Sequence, residues 1–203
     1  VMCISSAEIG GAEKQLCLLS KELFMRGINL EVWFLFKGGE NIKILDENNI
    51  PFKIFYLSKY NLINLLKIIK TILNSKIHLI DTFLVKNILI TSFLFKVFSP
   101  KTIRIGSIRG RNLQNSWKYN FLFKVAINSC HKIICNSNYL INYVISLSKV
   151  RNKRVLSIPN GFQLTEPDEN EIIINEVRKI VVVSNFHKHK GQDKIIKVLD
   201  DIT

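Results

Sequence analysis

Gly10-Gly11-Ala12-Glu13, set between the apolar run Val1-Met2-Cys3-Ile4 and the periodic residues Leu16, Leu19 and Leu23, is the stretch on which the fold reading turns. A strand, a glycine turn and an amphipathic helix in that order open a β–α unit. Gly27 stands just past the last periodic residue, where a left-handed C-terminal position stops a helix. Two readings of Gly10-Gly11 stand level on residue chemistry alone. One is a tight strand-to-helix turn. The other is a loop whose backbone N–H groups approach a phosphate, with the helix N-terminus adding roughly half a positive charge.

Working outward, apolar runs alternate with helical patterns along the chain, which predicts a parallel sheet with helices on both faces. Strands are expected near Val1 to Ile4, Leu30 to Phe36, Phe52 to Tyr56, His78 to Phe83, Thr102 to Ile108, Lys132 to Asn136 and Arg154 to Ile158. Helices fill the gaps. One presents Leu62, Leu65, Leu66, Ile69 and Leu73 as its apolar face, and another presents Tyr139, Tyr143 and Leu147. The first domain therefore runs over residues 1–162 and is Rossmann-like α/β. Residues 163–176, with Pro167 among Glu166, Asp168, Glu169 and Glu171, read as a linker. Residues 177–203 hold an apolar strand, Ile180 to Val183, and a helix from Gln192 to Leu199. One strand and one helix leave an apolar face uncovered, so this part reads as an incomplete second Rossmann-like domain in a cut chain.

The chain has 203 residues, 47% of them hydrophobic and 22% charged, ordinary values for a globular α/β protein. The apolar stretch from Ile77 to Phe98 is interrupted by Asp81, Lys86 and Lys96 and reads as a strand and a helix, not a membrane span. No secretory leader pattern precedes it, so the protein is expected in the cytoplasm or without its natural start. Cys3, Cys17, Cys130 and Cys135 form no C-x-x-C pair and read as buried free thiols. His78, His131, His187 and His189 make no metal constellation, and no metal or separate cofactor is expected.

Charge is uneven. The net charge is +13, and from Thr82 to Thr165 there is no acidic residue against 13 lysines and arginines. An anion is the implied partner: acidic membrane lipid, a pyrophosphate-bearing substrate or nucleic acid. A solvated basic surface is the plain alternative. Asp81, the lone acid between Glu47 and Glu166, either faces a cleft or balances this block. Trp117, Tyr119, Phe121 and Phe123 stand among Arg109, Arg111, Lys118 and Lys124, a pattern that suits a membrane interface, a single-strand nucleic-acid groove or a buried amphipathic helix.

Three segments carry a family resemblance. Gly10-Gly11-Ala12-Glu13 with Leu16, Leu19, Leu23, Arg26, Gly27 and Val32 resembles the opening of family 4 nucleotide-sugar-dependent glycosyltransferases, which have the two-Rossmann-domain GT-B architecture. Cys135-Asn136-Ser137 followed by Val155 to Gly161 is similar to that family's C-N-S and V-I-P-N-G segments, read here as structural. Val183 to Gly191 is similar to its V-[GA]-[RN]-x4-K-G loop, in which Lys and usually Arg grip the donor diphosphate. Lys190 matches that Lys beside Gly191. Asn185 stands in the usual Arg position and offers hydrogen bonding without charge. Arg109, in Ser107-Ile108-Arg109-Gly110, replaces the His of the family's [ST]-x-H-G motif. An arginine cannot act as general base near neutrality, but it can pair with phosphate or carboxylate.

The resemblance implies transfer of a sugar from a nucleotide-sugar to a lipid-linked or cell-surface saccharide acceptor. It puts Gly10, Gly11, Arg109, Asn185, Lys190 and Gly191 at the substrate sites, and it implies a fragment inactive alone. Contact with an acidic membrane, on the inner face, is one option for its partners; nucleic acid is the lesser one. The competing reading is a non-enzymatic Rossmann-like module that binds membrane or nucleic acid through its basic face.

Overall fold

All seven strands expected over the first 162 residues form and pair in parallel as one sheet in a computed structural model of the chain. The strands are β1 (Met2–Ser6), β2 (Val32–Lys37), β3 (Phe52–Ile54), β4 (Leu79–Phe83), β5 (Ile103–Ile108), β6 (Lys132–Cys135) and β7 (Val155–Ser157). Their spatial order is β3-β2-β1-β4-β5-β6-β7. The structure describes residues 1–58, 61–110, 116–162, 181–182 and 191–199. The chain divides into two compact units, Val1–Phe162 and Gln163–Thr203.

Parallel strands need crossover helices, and these supply the layers on the two faces. On one face α1 (Gly11–Met25) and α2 (Ile42–Asp46) pack against Met2, Ile4, Val32, Phe34 and Phe83. On the other face α3 (Leu62–Asn74) and α4 (Val85–Phe98) cover Cys3, Trp33, Leu35 and Ile80. The layer continues through α5 (Trp117–Ser129) and α6 (Asn138–Ser148), which enclose Ile108, Ile133, Cys135 and Val155. Trp33 is fully buried and meets Phe55 edge to face at 5.0 Å. Each such burial contributes ~1.5–3 kcal/mol.

Helix α1 ends as its sequence implies. Gly27 has φ +79°, its N–H donates to the Phe24 carbonyl, and the Ile28 N–H donates to the Leu23 carbonyl. That pair of bonds satisfies two carbonyls left over at the helix end.

The expected inward faces of two helices need correction. In α3 the fully buried residues are Ile68 and Ile72, with Leu65 and Ile69 beside them, whereas Leu62, Leu66 and Leu73 are exposed. The apolar stripe of α3 is one continuous arc wider than its contact with the sheet, with Asn64, Lys67, Lys70 and Thr71 on the opposite side, so periodicity does not say which edge of the stripe is covered. In α6, Leu140 and Val144 face the core, Tyr143 packs on Phe123 at 5.5 Å, and Tyr139 is exposed. In α5, Phe123 is buried while Trp117 and Phe121 stand outward.

The four cysteines are buried free thiols, and burial pushes the Cys17 thiol up to about 12 and those of Cys130 and Cys135 up to about 11. In the second unit, α7 (Gln192–Leu199) follows Gly191. Val181 and Val182 are exposed and belong to no strand, because no described segment pairs with them. The other two residues of that expected strand, Ile180 and Val183, lie outside the described residues, as does the expected linker.

One close approach fixes the loop after β1. A Cβ on Gly39 would fall against the Ala7 carbonyl and the Glu8 nitrogen, well inside van der Waals contact with backbone atoms. The Asn41 N–H donates to the Ala7 oxygen at 2.9 Å, and Lys37 pairs with Glu8. Gly39→Ala is therefore expected to cost about 1–3 kcal/mol of unfolding free energy by overpacking. A urea midpoint unchanged from the parent would contradict this clamp.

Candidate functional site

The sheet order turns around between β1 and β4, where the following helices leave to opposite faces, and open α/β sheets hold ligands in the crevice this creates. Gly10 and Gly11 lie on one lip. Gly10 is the extended N-cap of α1 (φ −167°) and Gly11 its first residue. Among the described residues, nothing stands within 4 Å of the place a Gly11 Cβ would occupy, which leaves room for a ligand against the backbone there. The Glu13 carboxylate folds back over Gly10, at the positive end of the helix. A phosphate bound at that end must displace it.

The opposite lip is the turn from β4 into α4. Leu84 holds φ +72°, a left-handed conformation that costs a branched residue about 1–3 kcal/mol, and its N–H donates to the Ser107 carbonyl at 3.1 Å. Sequence reasoning did not find this turn, since nothing in Phe83-Leu84-Val85 signals a positive φ.

Arg109 follows the last residue of β5 and closes the back of the crevice. Its guanidinium lies over the Phe83 ring, 4.3 Å from the centroid, and Nη1 donates to Asn160 Oδ1 at 2.9 Å. Its Nε is buried and has no hydrogen-bond partner among the described residues. Burial lowers its pKa, and Asp81 opposes that shift. The group remains a cation, held in orientation by a ring face and an amide, with one donor unclaimed.

Ala12, Leu84, Val85, Lys86, Ile108, Arg109, Gly110 and Tyr119 line a cavity of about 360 Å³ here. Ala12, not Gly10 or Gly11, is the α1 residue on its wall. The structural reading of Pro159-Asn160-Gly161 gains detail: Asn160 orients Arg109, and the Gly161 carbonyl accepts from Gln15 Nε2 at 2.7 Å, which ties the segment to α1. Of the remaining expected site residues, Gly191 lies in the second unit with φ +76°, and its carbonyl accepts the Lys194 and Ile195 N–H groups. Asn185 and Lys190 lie outside the described residues. Among the described residues, no cluster of His, Cys, Asp and Glu could hold a metal.

Asp81 does not reach this crevice. It is 7% exposed, accepts from Ser107 Oγ at 2.8 Å, and borders a larger cavity, about 910 Å³, with Leu19, Leu23, Ile105 and Ile134. That cavity also meets Val1, Asn29 and His78 at the amino ends of the strands, away from the switch point. Among the described residues of this unit, no helix covers the sheet face beyond α1.

The profile of Glycosyltransferase Family 4 matches residues 9–166. The chain belongs to glycosyltransferase family 4. Its solved structural neighbours share the GT-B fold and are remote in sequence. HepE (Alr3699) from Anabaena, solved with UDP, has a TM-score of 0.60 at 19% identity, covering 79% of this chain and 43% of HepE. A glycosyltransferase from Rickettsia africae ESF-5 has a TM-score of 0.60 at 16% identity over 78% and 42%. The lipopolysaccharide outer core galactosyltransferase WaaB, in its apo form, has a TM-score of 0.61 at 12% identity over 84% and 49%. The family 4 chain described here thus spans somewhat under half the length of these neighbours and corresponds to the N-terminal domain of the fold. Among curated proteins nothing matches it.

Burial pushes the Asp81 carboxyl up to about 6, against opposing pulls from the Ser107 hydroxyl and Arg109. Between its ordinary value of 3.8 and that value the folded chain keeps a proton the unfolded chain has lost, so stability falls as pH rises through this window. Asp81→Asn keeps an acceptor for Ser107 and removes the ionisation. It is expected to gain up to ~3 kcal/mol over the parent above pH ~6 and nothing below pH ~4. A gain independent of pH in urea titrations would refute the assignment.

Proposed function

We propose that this chain is the acceptor-side half of a glycosyltransferase that moves a sugar from a nucleotide-sugar to a lipid-linked or growing cell-surface saccharide, at the inner surface of a membrane. The observation that carries the proposal is the convergence of the α1 N-terminus, the strained Leu84 turn and the oriented Arg109 on one crevice at the switch point. A uridine diphosphate sugar is the proposed donor class, because the HepE structures similar to this chain hold UDP or UDP-glucose.

Catalysis in this reading is placement and electrostatics. The crevice holds the acceptor against the donor's reacting carbon, and fixed donors stabilise the charge that develops on the leaving diphosphate. Gly11 offers open backbone at a helix N-terminus. Arg109 supplies an oriented cation with a free Nε–H and pairs with an anionic part of the acceptor or donor, replacing general-base chemistry at that position. Lys190, beside Gly191, acts as a point charge on the donor diphosphate, with Asn185 adding a hydrogen bond.

The test is kinetic, in a protein carrying both domains of the fold. Arg109→Lys keeps the charge and loses the fork, so KM for one substrate is expected to rise about tenfold, the worth of one charge-assisted hydrogen bond. Unchanged kinetics for both substrates would remove Arg109 from the site. Lys190→Ala is expected to weaken donor binding more than acceptor binding, and the reverse order would refute its placement.

A further inference from the structure

Residues 48–165 carry 18 lysines and arginines and a single acid, Asp81, which is buried. The surface of this region is therefore basic without relief, and its apolar residues stand on it in an ordered way. On α5, Trp117 and Phe121 are 75% and 61% exposed, with Leu122 beside them. On α3, Leu62, Ile63 and Leu66 are exposed by 71%, 66% and 62%. Exposed lysines flank both crests: Lys118 and Lys124 on α5, Lys67 and Lys70 on α3.

Both crests occupy the first two turns of their helices, and both helices lie in the layer that α4 joins. Tyr119, in the first turn of α5, lines the cavity beside Arg109, as does Lys86 at the start of α4. The α5 crest is thus next to the crevice mouth, on the edge of the sheet where the strands end.

We infer that the first turns of α3 and α5 form a platform that seats this domain on an anionic lipid bilayer, beside the crevice. Lysines at the rim meet acidic headgroups while Leu, Ile, Phe and Trp enter the boundary between headgroups and acyl chains. The chemistry selects a bilayer over the other anions. A nucleic-acid groove works by stacking bases on rings, and four of the six crest residues are aliphatic. Protein interfaces are depleted in lysine, and here Lys67, Lys70, Lys118 and Lys124 stand exposed among the crest residues. No helix among the described residues is long and apolar enough to cross a membrane, and the contact inferred here is made by exposed helix turns at the surface. The inference rests on the membrane location in the proposed function, names the surface that makes the contact, and does not depend on the sugar transferred.

The chain carries its own probe. Of its two tryptophans, Trp33 is fully buried and Trp117 is exposed. Vesicles of phosphatidylcholine with phosphatidylglycerol in equal parts are expected to shift the emission of the chain to the blue, and phosphatidylcholine alone to leave it unchanged. Partitioning should fall steeply between about 0.05 M and 0.5 M salt. Leu66→Glu and Phe121→Glu each alter an exposed side chain, so both should fold with the parent's circular dichroism. Each is expected to lower the partition coefficient about tenfold. No shift with anionic vesicles, or partitioning unchanged in both variants, would overturn the platform. Binding to a single-stranded oligonucleotide with no vesicle partitioning would overturn it in favour of a nucleic-acid surface. None of these readouts uses sugar transfer, so a failed transferase assay leaves the inference standing, and a failed vesicle assay removes the membrane contact while leaving sugar transfer standing.

Discussion

Parallel pairing of β1 with β2 on one side and β4 on the other is the constraint from which the rest of the domain follows. A parallel neighbour cannot be reached by a hairpin, so the chain leaves β1 over one face through α1 and returns from β3 to β4 through α3 on the other. The loops after β1 and β4 therefore part, and the gap between them is the crevice. Cys3 and Ile4 of β1 are wholly buried, one on each face, and can tolerate nothing polar. The crevice forms at the strand ends, where the loop after β1 is pinned by the Gly39 approach and the loop after β4 is held in a left-handed turn.

Charge placement follows the same geometry. In a chain with net charge +13, the acid in the middle of the sheet is the one least able to ionise, because burial outweighs its nearby cation. Arg109 is consequently held by neutral groups, the Phe83 ring and the Asn160 amide, and not quenched in a direct ion pair. A buried ion pair would spend most of its Coulombic attraction on desolvation and leave little field in the crevice. Holding the cation by a ring face and an amide leaves its charge without a direct counter-ion, as the proposed pairing with an anionic substrate group requires.

The strands were legible because each is a short apolar run, as in Trp33-Phe34-Leu35 and Ile133-Ile134-Cys135, set between helical patterns. The stop of α1 at Gly27 was legible for a local reason, since its left-handed residue follows directly on the periodic run. The crevice was legible in part. Gly10-Gly11 and Arg109 could be marked from motif position, but the bond from Arg109 to Asn160 joins residues 51 apart and has no local signature. Leu84 is similar: its positive φ comes from the register of β4 against β5, through the bond to the Ser107 carbonyl, and not from its own preference.

The error on α3 has a different origin and carries more information. Periodicity identifies a face that water should leave, on the premise that a helix has one such face. In α3 that face is wider than the contact it makes. Ile68 and Ile72 meet the sheet, and Leu62, Leu66 and Leu73 continue the same stripe beyond the contact, so the sequence pattern marks the whole stripe as inward. A helix in a folded domain gains no stability from the outward part of the stripe, and an exposed crest of aliphatic residues raises the risk of aggregation. Local pattern and global fold agree nearly everywhere else in this domain. Disagreement at the outer face of α3, repeated on α5 by Trp117 and Phe121, is the mark of a surface shaped by something outside the fold. The basic residues around both crests give that external requirement its sign, and their position at the ends of the strands sets it beside the crevice.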